Sequence, residues 1–344
     1  FARSRSALAI ASAPAFSRRT SRRCSGGRAR GGGVVDLRPY QAAGNDWIEA
    51  SWARLPLAGR RPAVVYQLPT GGGKTPMQAA LVERAKSRGL TAAVMAPGID
   101  LCRQLRARVG CEVHLTTTLA SAYKRDRALP SADVWLVDEA RCITSTGVSP
   151  VVLAMQAQGA RMVFFDATPE TAQGQGLERW ADDLRQGPSV KELVAAGYLV
   201  PSRVFSAEQG KGLAMTPVEA WLHLYWYGRI LKIGETPPAI TRPLGRKRRA
   251  LVPSQNKAHA RRIVAEFEAK GVPAAFIGDD TKEDERKRLL GWTDAHGTFH
   301  EGALARGEIW ALACAVLLRQ GYDEPKLELI LSARTLDSEP LARQ

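Results

Sequence analysis

Apolar runs and segments of helical period alternate along most of this chain. Ala63-Val64-Val65-Tyr66 and Val134-Trp135-Leu136-Val137 are short and continuously apolar, as strands buried on both faces must be. Met77 to Lys86, between them, carries a helix pattern. Strands and helices in this alternation predict a mainly parallel sheet with helices on its faces over residues 36–205. A break rich in glycine and charge follows, from Ala207 through Met215, and Pro217 to Lys232 reads as a helix. A second α/β pattern starts at Ala250-Leu251-Val252. It continues through a helix over His259–Lys270, a strand over Val272–Ile277 and a helix over Glu283–Leu290. The apolar run Ile309–Leu318 and a strand over Lys326–Ala333 complete it. The expected organisation is a basic segment, 1–35; a first α/β domain, 36–205; a linker with one helix, 206–248; and a second α/β domain, 249–344.

A length of 344 residues suits two separate cores. The formal charge of +15 favours a polyanionic partner such as nucleic acid. Part of that excess lies outside the two domains. Arg3, Arg5, Arg18, Arg19, Arg22, Arg23, Arg28 and Arg30 all precede the first acidic residue, Asp36, in a stretch otherwise rich in Ser, Ala and Gly. Such a composition predicts disorder. It fits a transit peptide, a basic tail on DNA, or a start that is not the native one, since the chain begins at Phe1. Cys24, Cys102, Cys111, Cys142 and Cys314 are scattered, with no C-x-x-C pair and no histidine at ligand spacing. Neither zinc nor a disulfide framework is indicated, and a reducing, cytoplasmic setting is expected. No apolar run reaches the length of a membrane span. Trp221, Tyr225, Trp226 and Tyr227 fall at helical spacing, more often the mark of a core or docking face than of base stacking.

The candidate chemistry follows the apolar runs. Leu68-Pro69-Thr70-Gly71-Gly72-Gly73-Lys74-Thr75 lies between a strand pattern and a helix pattern, where a phosphate-binding loop belongs. Glycines let successive N–H groups turn toward phosphate oxygens, and the helix N-terminus adds positive potential. On this reading Lys74 reaches the β- and γ-phosphates of ATP, and Thr75 puts its hydroxyl on Mg²⁺. The pair Asp138-Glu139 ends the other apolar run, and in an open parallel sheet that end of a strand faces the same crevice. Asp138 then holds Mg²⁺ through water, and Glu139 polarises the attacking water. Two adjacent acids alone more often begin a solvated helix. Beside the loop they complete an ATPase.

The ordered set of motifs resembles the superfamily-two helicases, within their DEAD/DEAH-like, restriction-enzyme-III group, over roughly residues 36–340. Pro69-Thr70-Gly71-Gly72-Gly73-Lys74-Thr75 after an apolar residue is similar to their form of the loop, with Leu68 in place of the first glycine of the general pattern. Arg38-Pro39-Tyr40-Gln41 resembles an R-P-Y-Q element that contacts adenine, chiefly through the glutamine. Ala96-Pro97 with Leu101 and Gln104 resembles motif Ia, which meets nucleic-acid backbone, and Thr116-Thr117-Thr118-Leu119 resembles the segment after it. Phe165-Asp166-Ala167-Thr168-Pro169 is similar to motif III, which links ATP state to domain movement. Gly321-Tyr322-Asp323 looks like motif V and puts Gly321 and Asp323 among the nucleotide contacts. The resemblance implies two RecA-like P-loop domains, the second incomplete. It also implies ATP and Mg²⁺ as cofactors and a DNA or RNA partner, DNA preferred.

Two departures bear on coupling. Arg141 stands where the group has His or Asp, and Asp166 where it has Thr or Ser, so an Arg141–Asp166 charge-assisted pair is expected. Arg319 and Gln320 replace the Thr and Glu of motif V. Gln344 falls where motif VI, with its γ-phosphate arginines, would begin, which implies either a fragment or a protein without fast turnover. The expected function is an ATP-dependent helicase or translocase. The alternative is a module that binds ATP and nucleic acid with little turnover. A P-loop kinase would leave motifs Ia, III and V unexplained.

Overall fold

A computed structural model of the chain describes residues 10–12, 36–54, 62–144, 147–169, 176–201, 203–205, 215–231, 235–294, 298–315, 324 and 326–333. They fall into two compact lobes, the first ending at Val200 and the second starting at Pro201, with Ile10–Ser12 belonging to the second.

Chain order begins with β1 (Ile10–Ser12). The first lobe then runs α1 (Pro39–Trp52), β2 (Ala63–Gln67), α2 (Lys74–Ser87), β3 (Ala92–Ala96), α3 (Ile99–Val109), β4 (Glu112–Leu115) and α4 (Thr116–Lys124). It continues with β5 (Val134–Asp138), a 3-10 helix (Ala140–Thr144), α5 (Ser149–Ala157), β6 (Arg161–Asp166), β7 (Asp183–Gln186) and α6 (Val190–Ala195). The sheet order is β4-β3-β5-β6-β2-β7, and every neighbouring pair is parallel. Alternate side chains of a strand point to opposite faces, which divides the apolar runs between two cores. Val64, Tyr66, Val94, Leu136, Val163 and Phe165 pack with Ile48 of α1, Leu81 and Val82 of α2 and Leu105 of α3. Ala63, Val65, Met95, Val137, Met162 and Phe164 pack with Leu119 of α4 and Val151, Val152 and Met155 of α5. Both faces are covered, which is why these strands read as unbroken apolar runs rather than alternating ones. Trp52 Nε1 donates to Met162 O at 3.0 Å and fixes the end of α1 to β6.

The second lobe contains β8 (Arg203–Phe205), α7 (Pro217–Trp226), β9 (Ala250–Pro253), α8 (Lys257–Ala269), β10 (Ala274–Ile277) and α9 (Glu283–Leu290). After these come β11 (Gly291–Thr293), β12 (Phe299–Glu301), α10 (Ala303–Arg306), β13 (Ala311–Cys314) and β14 (Leu329–Leu331). Its sheet runs β10-β13-β9-β14-β1-β8. The four strands from β10 to β14 are parallel, and β1 is antiparallel to both β14 and β8. Side-chain caps start two of its helices. Thr216 and Glu219 form a capping box on α7, and Asn256 accepts the His259 N–H at 2.8 Å at the start of α8.

Several expectations change here. The segment 1–35, expected to lack structure, contributes β1 to the second sheet; the rest of that segment lies outside the described residues. Residues 203–205, assigned to the first domain, form β8 of the second sheet. The helix expected in a linker ends at Trp226, and its Trp221 is buried in the second core with Phe267 and Val252. Trp221 also stacks on Trp310 at 5.7 Å and 10°. A hairpin of β11 and β12 stands where no strand was expected. No helix among the described residues is long and apolar enough to cross a membrane.

Candidate active site

Strand order explains why distant residues meet. β5, β6 and β2 are consecutive in the first sheet and all point the same way. Their C-terminal ends therefore set Asp138-Glu139, Asp166-Thr168 and the loop 68–75 side by side, in the position where open α/β sheets bind ligands.

The loop is shaped by glycine where no other residue fits. Gly71 and Gly73 have φ of +79° and +85°, the left-handed region. A Cβ on Gly73 would also lie 2.2 Å from Gln41 Nε2. Lys74 and Thr75 then open α2, so the loop runs straight into a helix N-terminus. Lys74 Nζ donates to Leu68 O at 3.2 Å across the loop. Pro69 is partly buried and Thr70 exposed at its outer bend.

The Arg38–Gln41 element clamps this loop from α1. Gln41 is buried, and its Nε2 donates to Gly72 O at 3.1 Å and to Gly73 O at 3.3 Å. Its Oε1 accepts the Arg38 N–H at 2.9 Å. Tyr40 donates its hydroxyl to Gly72 O at 2.7 Å. Where the resemblance implies an adenine contact, the structure shows Gln41 holding two loop carbonyls. Tyr198, to which the sequence reading gave no role, joins this cluster. Its ring lies 5.4 Å from that of Tyr40, with the Arg38 guanidinium 4.6 Å above it. Leu199 lies against Gly71. Nothing periodic in the sequence links residue 198 to residue 38.

Asp138 is buried, and its Oδ1 has no hydrogen-bond partner. Burial pushes its carboxyl up to about 7, while the Lys74 ammonium pulls it down and the Glu139 carboxylate adds to the rise. Glu139 follows at φ +50°, a left-handed conformation rare for a residue with a side chain and a recurrent feature of functional sites. Its Oε2 accepts from Arg141 Nη2 at 2.9 Å. Arg141 Nη1 donates to Thr168 Oγ1 at 3.1 Å. Asp166 is fully buried and takes two backbone N–H groups, from Arg141 at 2.8 Å and from Thr168 at 2.9 Å. Burial and the Glu139 carboxylate raise its carboxyl above the usual range. The charge-assisted pair expected between Arg141 and Asp166 therefore forms between Arg141 and Glu139. Asp166 holds the Arg141 backbone because the tight turn after β5 presents that N–H to it.

Two of the remaining candidates follow strands of the same sheet. Pro97 follows β3, and Thr117 is exposed in the first turn of α4, directly after β4. Gln104 lies partly buried on α3. Gly321 and Asp323 lie outside the described residues.

Do these residues fit a magnesium-bound nucleotide? The unpartnered, buried Asp138 Oδ1 calls for a cation, and the glycine loop opening a helix suits phosphate. Thr75 sits in the first turn of that helix. Among the described residues no group of three or more His, Cys, Asp or Glu side chains gathers as a metal centre. A hard cation here would take its other ligands from phosphate and water. The set fits.

A family model described as an AAA domain matches residues 53–169, the stretch that includes the loop, Asp138-Glu139 and Asp166-Thr168. No curated protein matches the chain. Among solved structures, S. cerevisiae Dbp5 bound to RNA and ADP BeF3 matches with a TM-score of 0.51 at 15% identity, over 85% of this chain and 78% of that one. The ATP-dependent Type ISP restriction-modification enzyme LlaBIII bound to DNA matches with a TM-score of 0.51 at 14% identity, over 85% of this chain and 25% of that one. At such identities the likeness is one of fold. The fold is two RecA-like α/β units.

Proposed function

We propose that this chain is an ATP-dependent nucleic-acid helicase or translocase of the superfamily-two type, similar to its restriction-enzyme-III group. The observation that carries ATP use is the buried Asp138 carboxylate, its Oδ1 without a hydrogen-bond partner and under the influence of Lys74, at the mouth of a glycine loop. In this reading Lys74 and residues 69–73 hold the phosphates, and Thr75 and Asp138 hold Mg²⁺. Arg38, Tyr40 and Gln41 face the base, with Gly321 and Asp323 as further nucleotide contacts. When bound, Mg-ATP supplies the phosphoanhydride bond whose cleavage drives the cycle. Glu139 orients water and accepts its proton. Arg141, Asp166 and Thr168 couple the site to motion, and Pro97, Gln104 and Thr117 meet the strand. A net charge of +15 supports a polyanionic partner. Dbp5 is bound to RNA and LlaBIII to DNA, which supports nucleic acid without choosing between them; DNA is our choice, in the cytoplasm.

One observation favours a second reading, a binding module with little turnover: the Glu139 carboxylate is paired with Arg141. Nucleotide titration and phosphate release, with and without single-stranded DNA or RNA, separate the two. The motor reading expects strand-stimulated release by the native chain and loss of nucleotide affinity in Lys74→Ala. Glu139→Gln should keep binding while hydrolysis falls ~10²–10⁴-fold. Binding without stimulated release would favour the module, and Lys74→Ala binding like the native chain would sink both.

A further inference from the structure

Glu139 and Arg141 are separated by one residue, and their side chains are only 13% and 14% exposed, so water does little to screen the pair. The arginine has little freedom to leave. Its Nη1 is held by Thr168 Oγ1 at 3.1 Å, and its backbone by Asp166 Oδ2 at 2.8 Å. Asp166 in turn holds the Thr168 N–H at 2.9 Å. One hydrogen-bonded circuit thus ties the end of β5 to the end of β6, with the Glu139 carboxylate as a member. The left-handed backbone at Glu139 pins where that carboxylate starts. A carboxylate engaged by a guanidinium has its charge compensated and lone pairs occupied, and is a poorer acceptor for a water proton.

We infer that Arg141 is a latch on Glu139: with no strand bound, its guanidinium holds the carboxylate out of action, so turnover waits for nucleic acid. The inference rests on the reading of Glu139 given above. Arg141 acts through Glu139 and is a positioning residue. A phosphate oxyanion is the chemistry that competes for a guanidinium, because it matches the same planar fork. Nucleotide and strand both carry phosphate. The latch proposed here yields to the strand, so ATP alone leaves it closed.

The test uses the full chain with saturating Mg-ATP, with and without a single-stranded oligonucleotide. Arg141→Ala should raise unstimulated kcat by roughly ten-fold or more, leave KM unchanged, and bring the ratio of stimulated to unstimulated rate toward one. Arg141→Lys keeps the charge without the fork and should restore part of the low unstimulated rate. An arginine that only supports the fold would lower both rates. A second readout needs no nucleotide: thermal unfolding in EDTA of Arg141→Ala, Glu139→Gln and the double variant. A coupled pair makes the double shift smaller than the sum of the two single shifts. Additive shifts, or an Arg141→Ala unstimulated rate at or below the native rate, would overturn the latch. The parent reading fails by a different result, namely Glu139→Gln hydrolysing like the native chain.

Discussion

The first lobe buries two carboxylates, and among its described residues the second lobe buries none. Asp138 and Asp166 are buried at the C-terminal edge of the first sheet, and both carboxyls are pushed upward by that burial. Among the described residues of the second lobe the buried polar side chains are Ser254 and Ser332, neither of them charged. Its acids sit instead in exposed pairs, such as Arg261–Asp280 at 2.8 Å and Arg288–Glu285 at 2.7 Å. Exposed pairs contribute little stability, whereas a buried carboxylate with an unsatisfied oxygen, as at Asp138 Oδ1, costs a good deal. Two lobes on one architectural plan therefore differ at the sheet edge. Both are held by apolar packing, and only the first also carries a buried acid with an unsatisfied oxygen.

That division fixes where the largest stability effect should fall. Trp221 stacks on Trp310, meets Phe267 edge-on at 6.4 Å, and donates its Nε1 to Arg248 O at 2.9 Å. Trp221→Ala should cost about 3–5 kcal/mol. Hydrogen exchange should show second-lobe amides losing protection while those of β2, β5 and β6 keep theirs. Equal losses in both lobes would show that the two cores do not stand separately.

A smaller effect, of the opposite sign, is expected at Asp138. Burial pushes its folded carboxyl up to about 7 from the ordinary value of 3.8. A raised value means the folded state binds the proton more tightly. The associated stability is full below about pH 4 and lost as pH rises through about 7. Nucleotide-free protein in EDTA should therefore weaken from pH 4 to 8 more than Asp138→Asn does. At pH 8 the variant should be the more stable, on the order of 2 kcal/mol. Parallel unfolding curves for the two proteins at pH 5 and pH 8 would mean that Asp138 is not strained by its burial.

How much of this could be read from the chain? The strands of the first lobe announced themselves, because burial on both faces makes β2 and β5 continuously apolar up to their last residues, Gln67 and Asp138. The loop and Asp138-Glu139 followed from their place after those strands. Three-residue strands carry too little pattern to be seen. Ile10–Ser12 is recruited by backbone pairing with β14 and β8, and β11–β12 by a cross-strand stack of Trp292 on His300 at 4.5 Å. Tyr198 was missed because its partners, Arg38 and Tyr40, come from the far end of the lobe's sequence. The ion pair of Arg141 with Glu139, rather than the expected one with Asp166, has a geometric reason. Charge alone favours either neighbour, and only the turn after β5 shows that Asp166 faces backbone N–H groups while Glu139 faces the guanidinium.

The smallest effect should come from Arg288, and it tests the comparison from the other side. Arg288 lies in the last turn of α9, bonded through Nε and Nη2 to the two oxygens of Glu285, one turn earlier. The geometry is bidentate, and a cation near a helix C-terminus also meets the negative end of the dipole. Both side chains nevertheless remain nearly half exposed, at 48% and 44%, so solvent and salt screen the attraction. Arg288→Ala should therefore cost no more than about 1 kcal/mol. Chemical denaturation with urea, which leaves ionic strength unchanged, measures it at low salt and again in 1 M salt, where the difference should shrink toward zero. A larger loss that persists in high salt would show that the second lobe depends on its ion pairs. Apolar packing around Trp221 would then not suffice to explain how it stands.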